Sequence, residues 1–206
     1  MESGFYIKSF CHIKDNKISL NGSVIYDDKD ALDFLEFIKA AYRSFDIKYP
    51  KFFKMDGLSK LAFLASDLIL QKEKLNIEDE NNIAIIFSNK SSSLDTDEKH
   101  QESIQSKDNY YPSPAVFVYT LPNICIGEIS IKYKLHSENS FFIFDSFNAE
   151  YLSDYTNSLL LANKANEALC GWVEFDGVAY DAFLYLVSRE GTAIHTKQNI
   201  VNLYNT

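Results

Sequence analysis

Glycine is in short supply, with 7 in 206 residues, roughly half of the ~7% share usual in globular chains. Phosphate-binding and acyl-transfer sites commonly rest on glycine loops, where the backbone must come close to a ligand. No such loop is written here. The three cysteines, Cys11, Cys125 and Cys170, are odd in number, far apart and set among apolar neighbours. That pattern gives no support to a disulfide framework or a zinc site, so core thiols are expected and neither a metal nor a cofactor is. Basic residues are outnumbered, 20 to 29, for a net charge of -9 and a pI near 4.9. Nucleic acid is therefore an unsuitable partner, because its binding depends largely on neutralising phosphates. No stretch approaches the ~18 uninterrupted apolar residues of a membrane span, and MESGFYIKSFCHIKDN lacks a basic segment followed by an apolar one. No membrane insertion is expected, and the reading is a cytoplasmic protein.

What the chain does have is core material. Hydrophobic residues make up 46%, charged residues 24% and aromatics 15%, with 16 Phe and 13 Tyr. A single domain over residues 1-206 follows from this length.

FYIKSFCHIK alternates apolar and polar positions and predicts a strand half-covered on one face. After the turn-rich NGSVIYDD, the residues Leu32, Leu35, Ile38 and Tyr42 recur at helical spacing behind acidic first-turn residues. Asp56 is a plausible N-cap for GLSKLAFLASDLILQ, whose apolar stripe is broad. IAIIF reads as a central strand buried on both faces. Residues 88–113 are polar and predict at most one exposed helix. Pro122 opens a helix running to about Tyr133 that is apolar on more than one side, as a helix enclosed between layers would be. FFIFDSF is strand-like, and NAEYLSDYTNSLLLANKA has helical spacing. EALCGWVEF and AFLYLVS are two further strands, close enough to pair antiparallel. The tail carries no assignable pattern. The order βααβ(α)αβαββ predicts an α/β fold with right-handed crossovers and a mainly parallel sheet covered on both faces.

In this order the segments resemble the N-terminal half of the β-ketoacyl synthase family, the thiolase-fold condensing enzymes. IAIIFSNKSSSLDTDEKHQES resembles the family's strand, Ser/Gly-rich loop and helix. SPAVFVYTLPNICIGEISIKYKLHSEN resembles the segment entering its central helix, and SFFIFDSFNAEYLSDYTNSLLLANKANEALCGWVEF its nucleophile strand, nucleophile helix and following strand. KMDGLSKLAFLASDLIL resembles the family's second helix. More narrowly, the chain is similar to short stand-alone synthase-like proteins encoded with aryl-polyene and flexirubin-type pigment pathways. The resemblance implies a thiolase-like half, βαβαβαββ, with a five-stranded mixed sheet and helices on both faces.

It also implies where a nucleophilic Cys would stand, at the start of the helix after the third core strand. Ser146 occupies that position, with Asp145 adjacent. A serine hydroxyl is a poor nucleophile without a base, and the neighbouring carboxylate disfavours an alkoxide. The family's two further histidines belong to a C-terminal half not in this chain, and His12, His100, His136 and His195 lie at none of its motifs. The expected function is that of a non-catalytic ketosynthase-like subunit of a type II fatty-acid or polyketide-like system. It would oligomerise with itself or pair with a full-length 3-oxoacyl-[acyl-carrier-protein] synthase. The alternatives are a Ser146-dependent acyltransferase or hydrolase, and an acyl-binding module.

In the family's fold one central helix from each half forms the middle layer. Here that helix would be the one around Ile124 to Ile131, and Ile124, Cys125, Ile129 and Ile131 are the expected interface. Plainer readings stand beside these. Ser146 could simply cap the next helix, Ser91-Ser92-Ser93 could be a polar turn rather than a pantetheine or phosphate contact, and Trp172 could be core. Docking of an acyl carrier protein, itself acidic in the systems this resembles, would need a local basic patch around Lys132 and Lys134.

Overall fold

The computed structural model describes residues 4–75, 80–108 and 110–206. Its first strand, β1 (Tyr6–Lys14), buries every second side chain, as its alternation predicts. It turns back at once into β2 (Lys17–Leu20) and then β3 (Ser23–Asp27). Asp15 and Asn16 both have positive φ (50° and 56°), as do Asn21 and Gly22 (51° and 79°). Paired left-handed residues make the tight two-residue reversal whose twist suits antiparallel strands. Asn21 adds a lock, its side chain accepting the Phe10 backbone N–H at 2.8 Å.

Helix α1 (Phe34–Ser44) is capped by Asp33, which accepts the Glu36 backbone N–H at 2.8 Å, and a short 3₁₀ turn spans Pro50–Lys54. Asp56 caps α2 (Gly57–Lys72), its carboxylate accepting the Ser59 backbone N–H at 3.0 Å. Then come β4 (Ile83–Asn89), α3 (Leu94–Ile104), the single turn and a half of α4 (Pro114–Val118), and α5 (Ile124–Tyr133). The chain continues through β5 (Asn139–Ile143), α6 (Ala149–Leu161), β6 (Glu167–Phe175) and β7 (Tyr180–Ser188), and closes with β8 (Ala193–Ile194) and α7 (Lys197–Tyr204).

The sheet runs β3-β2-β1-β7-β6-β4-β5, with β8 added beside β1. It has eight strands, not the expected five: the Asp15-Asn16 and Asn21-Gly22 turns fold the supposed loop into a two-strand ribbon, and the tail adds β8. Nor is it mainly parallel: β4 pairs parallel with β5 and β6, and every other pairing between these strands is antiparallel. The mixed α/β class holds. Helices cover both faces, α1, α2 and α5 over one apolar layer and α6 and α7 over the other.

The enclosed helix is α2. Every residue from Gly57 to Leu70 is buried, since α2 lies between the sheet and α1 and α5. Helix α5 buries one side only: Cys125, Ile126 and Ile129 pack inward, whereas Ile131 is 66% exposed. The continuous isoleucines of α5 reflect this inner contact plus one exposed position. Among the described residues, no helix is long and apolar enough to cross a membrane.

Candidate site at the carboxyl ends of the parallel strands

The chain leaves β4 toward the α5 layer and leaves β5 toward the α6 layer. Adjacent parallel strands whose connections go to opposite faces open a crevice at their carboxyl ends, the usual ligand position in such sheets. Asn89 pairs with Ile143, and the Phe144 N–H donates to Asn89 O at 2.9 Å. That register brings the serine run and the Asp145-Ser146 turn to one end of the sheet.

The serine run is occupied by its own chain. The Glu174 carboxylate, at the end of β6, accepts the backbone N–H groups of Lys90 and Ser91 at 2.7 and 3.2 Å and also the Ser91 hydroxyl. Asn89 closes the turn against Ser92, whose φ is 54°. Ser93 donates to Thr120 O at 2.6 Å. This is a built polar turn.

Asp145 and Ser146 are exposed, and Ser146 Oγ makes no hydrogen bond among the described residues. The helix cap expected of Ser146 belongs instead to Asn148, whose side chain accepts the Tyr151 backbone N–H at 3.0 Å. Asn is among the best N-caps and sits directly before the helix, three residues from the orphan amide. Ser146 borders a cleft of about 430 Å³ with Asp145, Phe147, Glu150, Lys197 and Val201. No histidine or cysteine lines it, and Lys197 is paired with Glu150 at 2.6 Å. The wall offers Ser146 no imidazole to take its proton, and two carboxylates that oppose an alkoxide.

The thiols are all buried. Burial pushes the Cys170 thiol up to about 12 and the Cys125 thiol well above its ordinary value, so neither supplies a thiolate near neutral pH. His195 is buried, with Nδ1 2.9 Å from Asn157 Oδ1, and His12 pairs with Asp181 at 2.8 Å; neither lines the Ser146 cleft. Trp172 is core, edge-on to Phe147. Of the expected interface residues, Cys125 and Ile129 are sealed within the chain, Ile124 is half-buried, and Ile131 faces outward. Lys132 is paired with the buried Asp67.

Sequence reasoning missed two features. One is the pair of buried carboxylates between α2 and α5, Asp67 and Glu128. Glu128 is met by Lys51 at 2.8 Å and by the hydroxyl of Tyr119 at 3.1 Å. An acid inside an otherwise apolar helix was the available signal. The other is the position of β5 as the outermost strand, with Phe141 and Phe142 half-buried and Ile143 50% exposed.

No family model matches the chain, and no curated protein does. Solved structures do. A ketosynthase (ApeO) in complex with its chain length factor (ApeC) from Xenorhabdus doucetiae matches at TM-score 0.62 and 12% identity, over 98% of this chain and 90% of the matched one. The ishigamide ketosynthase/chain length factor matches at TM-score 0.61 and 14% identity, over 90% of this chain and 62% of that one. A β-ketoacyl synthase from Burkholderia phymatum STM815 matches at TM-score 0.60 and 11% identity, over 90% and 59%. The chain thus spans less than two thirds of the last two proteins and nearly all of the first. At these identities the likeness is one of fold, and the fold is the thiolase-like one of the β-ketoacyl synthases.

Proposed function

We infer that this chain is a non-catalytic ketosynthase-like subunit that pairs with a second ketosynthase-like chain in a type II fatty-acid or polyketide-like pathway, of the aryl-polyene or flexirubin kind. The observation that carries the reading is the outer edge of β5, on which no strand pairs among the described residues. In its parallel register with β4, the Ile85 N–H bonds Glu138 O and the Phe144 N–H bonds Asn89 O. The alternation of a parallel ladder then turns the N–H and C=O of Asn139, Phe141 and Ile143 away from the sheet. An apolar edge strand with free peptide groups is a template for another strand. The Ser146 cleft, without a proton acceptor suited to acyl transfer, supports a role in assembly over one in condensation. The full-span likeness to a chain from a ketosynthase and chain length factor complex fits the same reading.

Sedimentation velocity of the purified chain, alone and mixed with a ketosynthase from the same genome neighbourhood, tests the proposal. A defined two-chain complex is expected. A monomer at micromolar concentration in both samples overturns it.

A further inference from the structure

The outer face of α6 is joined to the rim of the sheet by a cluster of aromatic rings. Tyr151, Asp154 and Tyr155 stand at i, i+3 and i+4, the spacing that puts side chains on one helix face. The two tyrosine rings are stacked, 9° apart in plane with centroids 5.9 Å apart. Phe142 of β5 meets both edge-on, at 4.9 and 5.1 Å, and Phe144 meets Tyr151 edge-on at 5.1 Å. Tyr155 is fixed further, its hydroxyl 3.1 Å from Ser140 Oγ on β5. The outermost strand thus holds the rings in place, and Tyr151 keeps 38% of its surface exposed. Beside them lies a cleft of about 540 Å³ lined by Asn148, Glu150, Tyr151, Asp154, Tyr155 and Ser158. Its wall holds two carboxylates and no cation. Glu150 is paired with Lys197 at 2.6 Å, whereas Asp154 is exposed and makes no hydrogen bond or ion pair among the described residues.

We propose that this face is a seat for an arginine side chain presented by the partner chain at the β5 edge, an inference that rests on the pairing reading. A guanidinium is flat, so it stacks on a tyrosine ring while its N–H fork meets a carboxylate, a match that the ammonium of lysine lacks. A free carboxylate beside exposed rings supplies both halves of that recognition. The sign agrees as well, because a chain of net charge -9 favours a cationic surface on its partner. Continuity sets where that surface comes from: Phe142, which holds both tyrosines, belongs to the same strand that offers free peptide groups. Tyrosine and arginine are also the residue types that concentrate binding energy at interfaces.

Two measurements test it. N-acetyl-arginine methylamide is titrated into the isotope-labelled full chain and followed by backbone amide NMR. Saturable shifts at Tyr151 to Tyr155 are expected, with affinity about tenfold lower for the lysine analogue and for Asp154→Asn. Shifts that never saturate, or that are equal for the two amides or the two chains, overturn the inference. Sedimentation with the ketosynthase-like partner then separates it from the pairing reading. The expected result is a wild-type complex that Asp154→Asn weakens about tenfold at an unchanged unfolding midpoint. A complex that Asp154→Asn leaves equally tight overturns the arginine seat and keeps the pairing. Absence of any complex with the wild type overturns the pairing and the proposed occupant together.

Discussion

The Asp67 carboxylate, wholly buried on α2, accepts a hydrogen bond of 2.6 Å from the Tyr133 hydroxyl on α5. Lys132 pairs with the same oxygen, and Gln71 donates to the other at 2.6 Å. The enclosed helix is therefore joined to its cover by a charged, saturated network. Removing the cation strands a buried anion, so Lys132→Ala should lower unfolding stability by about 3 kcal/mol. Tyr133→Phe, which removes one bond to a charged group, should cost about 2 kcal/mol. Urea unfolding of both variants and of their combination checks this, and the double loss should depart from the sum because the partners share one carboxylate.

Gly171 predicts a sharper effect. Its φ is 148°, and an added Cβ would stand 2.0 Å from the Phe183 carbonyl oxygen of the neighbouring strand. The obstacle is backbone and cannot swing away. Gly171→Ala should destabilise by about 4 kcal/mol or more, read as loss of soluble protein or a collapsed unfolding midpoint.

His195 sets a pH dependence. Burial lowers its pKa to about 4, whereas the unfolded chain's histidine titrates near ~6.5. The unfolded state therefore binds the extra proton first as pH falls. The contribution is complete above about 6.5 and is lost progressively toward about 4, amounting to about 3 kcal/mol. Unfolding stability measured between these pH values should fall less steeply in His195→Gln than in the wild type.

Ile143 tests the pairing edge. Ile143→Lys places a charge on the outer strand, where natural sheets use lysine to block strand addition. Association with the ketosynthase-like partner should weaken at least tenfold in sedimentation experiments. The unfolding midpoint should shift little, because the side chain is already half-exposed.

Much of the fold was legible because its signals are local. The alternation in FYIKSFCHIK, the Asp56 cap and the unbroken apolar run of IAIIF each correspond to the element they predict. The hairpin of β2 and β3 went unread: Asn21-Gly22 is a tight-turn pair, but Ser23–Asp27 exposes most of its residues and shows no buried face. The short final helix escaped because only Ile200 is fully buried on it. At the candidate site, the meeting of the serine run with Asp145-Ser146 depended on a strand register that composition does not encode.

Taken alone, the amino-acid order determined the α/β class, the burial of Cys11, Cys125 and Cys170, and the weak chemistry expected of a serine beside an aspartate. These follow from side-chain polarity, periodicity and proton affinity, which each residue carries with it. Tertiary structure decided which helix is enclosed, which strand is left at the rim, and which carboxylate meets the His12 imidazole. Those depend on long-range pairing: His12 and Asp181 lie far apart in the chain, and only the β1–β7 ladder brings them within 2.8 Å.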